Sequence, residues 1–151
     1  MEKLIKNCDC DYLFKILLVG DTWTGKTCLL YRHLGDPNNY LEHLDNPSKC
    51  APATHGVEVG AKNINIEGKV IRLQIWDTSG KENFGSIVRA FYKKTDGILF
   101  IYDISNKDSF KHIDFWVRDF EANIKEKSIK ILVGNQCDKK YRRVSEEEGK
   151  N

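Results

Sequence analysis

The sequence has no apolar stretch long enough to cross a membrane; runs such as Ile16–Val19 fall far short of the roughly 20 residues a helical span needs. Proline is scarce, at three residues, and glycine is modest, at 11, which excludes collagen-like and low-complexity chains. Neither sign of charge dominates: 24 Lys and Arg stand against 22 Asp and Glu, a net charge of +2. A dedicated nucleic-acid or polybasic membrane binder is therefore not expected. Cysteine lacks a pattern. Cys8, Cys10, Cys28, Cys50 and Cys137 are odd in number, and Cys8 and Cys10 have no second close pair to complete a zinc site. Free thiols in a reducing, cytoplasmic setting are the expectation. Met1–Asp11 carries charge but no apolar core of a secretory signal. No cysteine near Asn151 offers a prenylation site. His33, His43, His55 and His112 show no metal-ligand spacing.

What remains suits one folded unit, a single domain over residues 1–151, with 40% of residues hydrophobic. Leu13–Val19 is a nearly continuous apolar run ending in Gly20, the pattern of a strand buried on both faces. Cys28–Leu34 predicts a helix stopped by Gly35-Asp36-Pro37. Residues 35–53 hold all three prolines and read as a long loop. Val57–Ile66 and Val70–Trp76 flank Glu67-Gly68-Lys69, a hairpin signal, and broken apolar parity near Asn63 predicts a bulge. Gly97–Tyr102 and Lys130–Val133 are two more candidates for buried strands. Between them, Phe110, Ile113, Trp116, Val117, Phe120 and Ile124 form the apolar stripe of one amphipathic helix, read as core. The predicted fold class is α/β: a mostly parallel sheet with one antiparallel edge strand, between two helical layers. Ser145-Glu146-Glu147-Glu148 fits a capping box, yet the chain stops at Asn151, so a C-terminally incomplete fold is expected.

The residues Gly20-Asp21-Thr22-Trp23-Thr24-Gly25-Lys26-Thr27 satisfy G-x-x-x-x-G-K-[ST] between a strand and a helix. Successive backbone N–H groups in such a loop form an anion nest, and the helix N-terminus adds its positive dipole end. Lys26 reaches the β and γ phosphates of a bound nucleotide, and the Thr27 hydroxyl suits Mg²⁺. Cys28 follows at the loop's exit. Trp23 is a bulky ring in a loop of small residues, directed to solvent or over the nucleotide. Asp77, in Trp76-Asp77-Thr78-Ser79-Gly80, ends a strand and suits Mg²⁺ through water; Gly80 lets a backbone N–H approach the γ-phosphate. Asn135-Gln136-Cys137-Asp138 follows another strand, and the Asp138 carboxylate matches the donor pair on a guanine edge, which adenine lacks. The basic run Lys139–Arg143 reads as a solvated loop.

These motifs, with Asp11–Lys15, Thr54–Val59, Arg72–Thr78, Gly97–Asp103 and Val133–Asp138 in order, resemble the Rab subfamily of Ras-superfamily small GTPases, over about Asp11–Gly149. The resemblance implies a P-loop fold and a GTP/GDP switch in vesicle and membrane trafficking. It makes Thr54 a Mg²⁺ ligand that senses the γ-phosphate, groups Thr54, Gly80 and residue 81 in catalysis, and makes Asn135, Gln136 and Asp138 guanine contacts. Residues 35–60 and 78–93 become switch segments. Effectors, exchange factors and GTPase-activating proteins meet residues 35–60 and 76–93, with Trp76 between the switches.

The departures from the Rab pattern are specific. Lys81 stands where Gln is usual, so slow hydrolysis is expected. Gln136 replaces the usual Lys, Val59 and Phe91 alter the aromatic surface, and the Thr27–Thr54 interval is about nine residues longer than in the family, leaving Tyr40 as a candidate for stacking on guanine. The third base-contacting motif, the last strand, the last helix and the prenylated tail are missing, although the family associates with membranes. A non-hydrolysing nucleotide-binding or interaction module is the alternative; an ATP-using P-loop enzyme is a third reading, disfavoured by Asp138.

Overall fold

The computed structural model describes residues 10–35, 54, 56–81, 85–124 and 127–150. Strand β1 (Tyr12–Val19) leads through the phosphate-loop sequence into helix α1 (Lys26–Leu34). Gly35 ends α1 in the left-handed conformation, φ 74°, and its N–H returns to the Tyr31 carbonyl, so the expected stop is a C-cap. Strands β2 (Val57–Ile66) and β3 (Lys69–Thr78) form the hairpin. Its turn is two residues, not three: Glu67 and Gly68 both have positive φ, 52° and 76°, and Lys69 pairs directly with Ile66. That is the two-residue turn whose twist matches the strands it joins. The β2–β3 register runs unbroken from Val57↔Thr78 to Ile66↔Lys69, so no bulge stands at Asn63. β2 is an edge strand exposed over most of its length, and its apolar parity carries no burial information.

Helix α2 (Gly85–Ala90) precedes β4 (Gly97–Asp103). The apolar stripe then occupies two helices, α3 (Lys107–Lys111) and α4 (Ile113–Asn123), meeting at His112. Strand β5 (Ile129–Asn135), an edge strand with Ile131 and Leu132 exposed and so not the buried strand expected, and helix α5 (Glu146–Lys150) follow. The strand order is β2-β3-β1-β4-β5, with β1 parallel to both β3 and β4, β4 parallel to β5, and only β2–β3 antiparallel.

The alternation of β1 and β4 explains the three layers. Leu17, Val19, Ile98, Phe100 and Tyr102 point to one face and pack with Ile113, Trp116 and Phe120 of α4. Leu18 and Ile101 point to the other and pack with Leu30 of α1. Apolar runs such as Ile16–Val19 and Ile98–Tyr102 are stable only when both faces are covered, as here. Ser145 and Glu148 make the reciprocal capping bonds, Ser145 N–H to Glu148 Oε2 at 2.8 Å and Glu148 N–H to Ser145 Oγ at 3.1 Å. The basic run is tied down internally: Lys139 pairs with Asp103 at 2.7 Å, and Arg142 donates to the Val144 carbonyl at 3.1 Å. Among the described residues no helix is long and apolar enough to cross a membrane.

Candidate functional site

Parallel strands put their carboxyl ends on one rim, and β1, β3 and β5 each deliver a motif there. The loop from β1 wraps Lys26, which is buried. Its ammonium donates to the carbonyls of Gly20 at 2.9 Å and Asp21 at 2.8 Å. Burial pushes the Lys26 ammonium down to about 8, against the opposing pull of the Asp77 and Asp21 charges. The buried Thr24 hydroxyl donates to the Asp21 carbonyl at 2.9 Å and tightens the same turn.

β3 brings Asp77 to the start of α1. Thr27 Oγ1 donates to Asp77 Oδ2 at 2.5 Å, Thr54 Oγ1 donates to the same oxygen at 3.1 Å, and the two hydroxyls lie 2.9 Å apart. Asp77 is fully buried, and its other oxygen, Oδ1, has no hydrogen-bond partner among the described residues. Burial raises the Asp77 carboxyl above its ordinary value, while the two hydroxyls and the Lys26 charge pull it back. One carboxylate and two hydroxyls, with a buried oxygen left unsatisfied, fit a hard, oxygen-seeking cation such as Mg²⁺, which keeps waters and substrate phosphates as its remaining ligands. Among the described residues no cluster of three His, Cys, Asp or Glu offers a second kind of metal site.

Gly80 lies directly against the loop. A Cβ there would stand 2.2 Å from the Thr22 nitrogen, and the Thr22 N–H donates to the Gly80 carbonyl at 3.2 Å. The adjoining Lys81 is exposed, with its N–H 3.5 Å from Ser79 Oγ. From β5, Asn135 Nδ2 donates to the Thr24 carbonyl at 2.8 Å and Gln136 Nε2 to the Trp23 carbonyl at 2.6 Å. Both amides thus brace the loop from behind. Gly25 stands at φ 90°, a conformation strained for any residue with a Cβ, and a Cβ there would also press on Asn135 Nδ2, 2.5 Å away. Asp138 and Cys137 are exposed beyond the strand, and Cys28 is exposed on α1.

Trp23 is 63% exposed on the loop. Its φ of 69° is left-handed, a conformation that costs a side chain with a Cβ about 1 kcal/mol. Trp23→Gly is expected to stabilise the fold by about 0.5–1 kcal/mol, since little buried area is lost; a denaturant midpoint that falls instead would count against strain.

The protein-interaction segments lie partly outside the described residues, and so does Tyr40. Within them, Val59 sits opposite Trp76 in the hairpin register, and Trp76 and Phe91 meet at 5.2 Å. Lys15 lies 4.8 Å from the Trp76 ring centre and donates to the Phe91 carbonyl, a contact the sequence did not signal. Two further residues also went unanticipated: His112 and Trp116, read as an unpatterned histidine and a core aromatic, both bond Asp21 of the loop.

The Ras family model matches residues 15–151. The chain is 37% identical to GTP-binding protein YPT1 of Saccharomyces cerevisiae over 142 residues, 93% of this chain and 64% of that protein. It is 41% identical to Ras-related protein Rab-10 of Caenorhabditis elegans over 134 residues, 89% of this chain and 62% of that one. It is also 41% identical to human Ras-related protein Rab-8B over 140 residues, 92% and 63% of the two chains. The chain therefore spans slightly under two thirds of the length of the curated relatives it matches. With the family model covering nearly all of it and Rab proteins among its relatives, this chain belongs to the Ras family and is of the Rab type.

Proposed function

We propose that the protein is a guanine-nucleotide switch that binds GTP and GDP with Mg²⁺, hydrolyses GTP slowly, and serves intracellular vesicle trafficking at membranes. The observation that carries this reading is the convergence of Lys26, Thr27, Thr54 and Asp77 on one rim, with Gly80 packed on the loop. In this reading the loop N–H groups and Lys26 hold the phosphates. Thr27, Thr54 and Asp77 hold Mg²⁺, which would neutralise phosphate charge when bound. Thr54 links the site to the chain preceding β2, so a γ-phosphate that engages it biases the first switch segment. Val59, Trp76 and Phe91 present the surface that effectors and regulators would read, with a smaller, less polar outline than the Rab pattern.

Asn135 and Gln136 each spend one amide N–H on the loop, and in this reading they contact guanine with their remaining groups while the Asp138 carboxylate selects the base. The Asp138 carboxylate accepts from the two guanine donors, and with adenine it loses those charged bonds. The wild-type protein is expected to bind GDP far more tightly than ADP in Mg²⁺, and Asp138→Ala to lose about tenfold or more of the GDP affinity, measured by titration with fluorescent nucleotides. Equal affinity for the two wild-type ligands overturns the guanine assignment. A second reading, a nucleotide-dependent switch without turnover, is favoured by one observation: an exposed ammonium at Lys81.

A further inference from the structure

Asp21 of the phosphate loop is tied to the α3–α4 corner by its side chain. Asp21 Oδ1 accepts from the Trp116 indole N–H at 2.8 Å, and Asp21 Oδ2 lies 2.8 Å from His112 Nδ1. A carboxylate only accepts, so Nδ1 carries the proton in this pair. These contacts span 95 and 91 residues of sequence. On its main chain, the same Asp21 presents the carbonyl that receives both Lys26 Nζ and Thr24 Oγ1. The residue therefore holds the phosphate-binding ammonium with one group and the α3–α4 corner with another.

The donors are themselves fixed. Asn106 caps α3 by accepting from the N–H groups of Asp108 and Ser109. The His112 N–H donates to the Asp108 carbonyl, and the His112 carbonyl accepts from the Trp116 N–H, so the corner is hydrogen-bonded through both helices. Trp116 is 2% exposed and packed in the larger core cluster, with Phe115 edge-on at 5.2 Å. A buried indole N–H requires an acceptor, and the loop supplies it.

We propose that His112 and Trp116 are positioning residues that latch Asp21 and thereby set how long a nucleotide stays in the phosphate loop. The proposal rests on the nucleotide-binding reading above. Releasing the carboxylate frees the turn at residue 21, and with it the carbonyl that orients Lys26. The ground-state cost of re-forming that geometry then falls on each binding event.

The test follows release of GDP carrying a fluorescent N-methylanthraniloyl group from the full chain in Mg²⁺. His112 is the safer site, since its side chain is 64% exposed and contributes little packing. His112→Leu is expected to speed release about fivefold, the worth of an ordinary hydrogen bond, since solvent around the exposed imidazole screens the charge of its acceptor. His112→Asn, which places an amide N–H near the position of Nδ1, restores the rate to within about twofold. Trp116→Phe, which keeps a ring and removes the N–H, speeds release by a similar factor. Asp21→Ala does the same, and His112→Leu adds nothing further in its presence. Additive effects, or unchanged release in His112→Leu with normal GDP binding, overturn the latch alone. A wild-type chain with no affinity for GDP overturns the nucleotide reading and the latch with it. Should Trp116→Phe fail to fold, the His112 series decides.

Discussion

Lys26→Ala is expected to weaken GDP binding by on the order of 100-fold while leaving far-UV circular dichroism largely intact. The ammonium is buried and held by two loop carbonyls, at 2.9 and 2.8 Å. It makes no contact on which the sheet depends. A phosphate brought to the loop meets a positive charge in a site with little water, where charge-assisted bonds are strongest. The same burial gives the interaction a pH signature. With the Lys26 ammonium at about 8 before binding, protein at pH 7 is mostly charged there and protein at pH 9 mostly neutral. GDP affinity should therefore fall by up to about tenfold between those values, and the fall should be absent in Lys26→Ala. Stability runs the other way. Between about 8 and the ordinary 10.5, the unfolded chain holds a proton that the folded one lacks, so Lys26 makes the fold more stable as pH rises through that window. At neutral pH the buried ammonium opposes folding, a cost that a bound phosphate would offset. Full GDP affinity in Lys26→Ala would reduce the loop to an ordinary strand–helix turn.

What the sequence disclosed and what it hid divide along a physical line. The phosphate loop was legible because its chemistry is contiguous: eight residues specify the nest, the cation and the hydroxyl. β1 and β4 were legible because both faces are buried along Ile16–Val19 and Ile98–Tyr102, so those stretches are apolar throughout. The convergence of Thr27 and Asp77 was only a conjecture in sequence, fifty residues apart; the parallel β1–β3 register, with Leu18 beside Asp77, brings them within 2.5 Å. β2 misled because an exposed edge strand has no side that must be apolar, and broken parity there means nothing about bulges. The stripe from Phe110 to Ile124 named the correct core face, but a periodicity of apolar residues is blind to the single N–H at the tip of an indole. It is equally blind to the break at His112, where α3 gives way to α4 without a proline or glycine. Trp116 was accordingly counted as packing alone, although its N–H reaches Asp21 across 95 residues. Gln136 shows a subtler limit. As a base contact it looked like a loss against the Rab pattern, yet its amide holds the Trp23 carbonyl at 2.6 Å, a bond that needs a donor but not a charge.

Lys81→Gln is expected to raise the single-turnover rate of GTP hydrolysis by about tenfold or more, with GTP affinity little changed. Hydrolysis needs a water held in line with the γ-phosphate, and an amide holds it by accepting one hydrogen bond and donating another. The Lys81 ammonium has three donors and no acceptor, so it orients the water poorly. It sits one residue beyond Gly80, which packs against the loop, and its exposed side chain is free of the core. An ammonium there would favour a bound γ-phosphate electrostatically, and the expected consequence is a longer GTP state with no aid to cleavage. Positioning the nucleophile accounts for much of the barrier reduction in this chemistry, and tenfold corresponds to only about 1.4 kcal/mol. The substitution leaves Thr27, Thr54 and Asp77 untouched, so Mg²⁺-dependent binding of GTP serves as the internal control. A rate that rises with affinity constant places the limit on water orientation at residue 81. An unchanged, measurable rate removes Lys81 as the limiting departure and turns attention to the strained Trp23. No hydrolysis in either protein, with GTP bound normally in both, selects the switch without turnover.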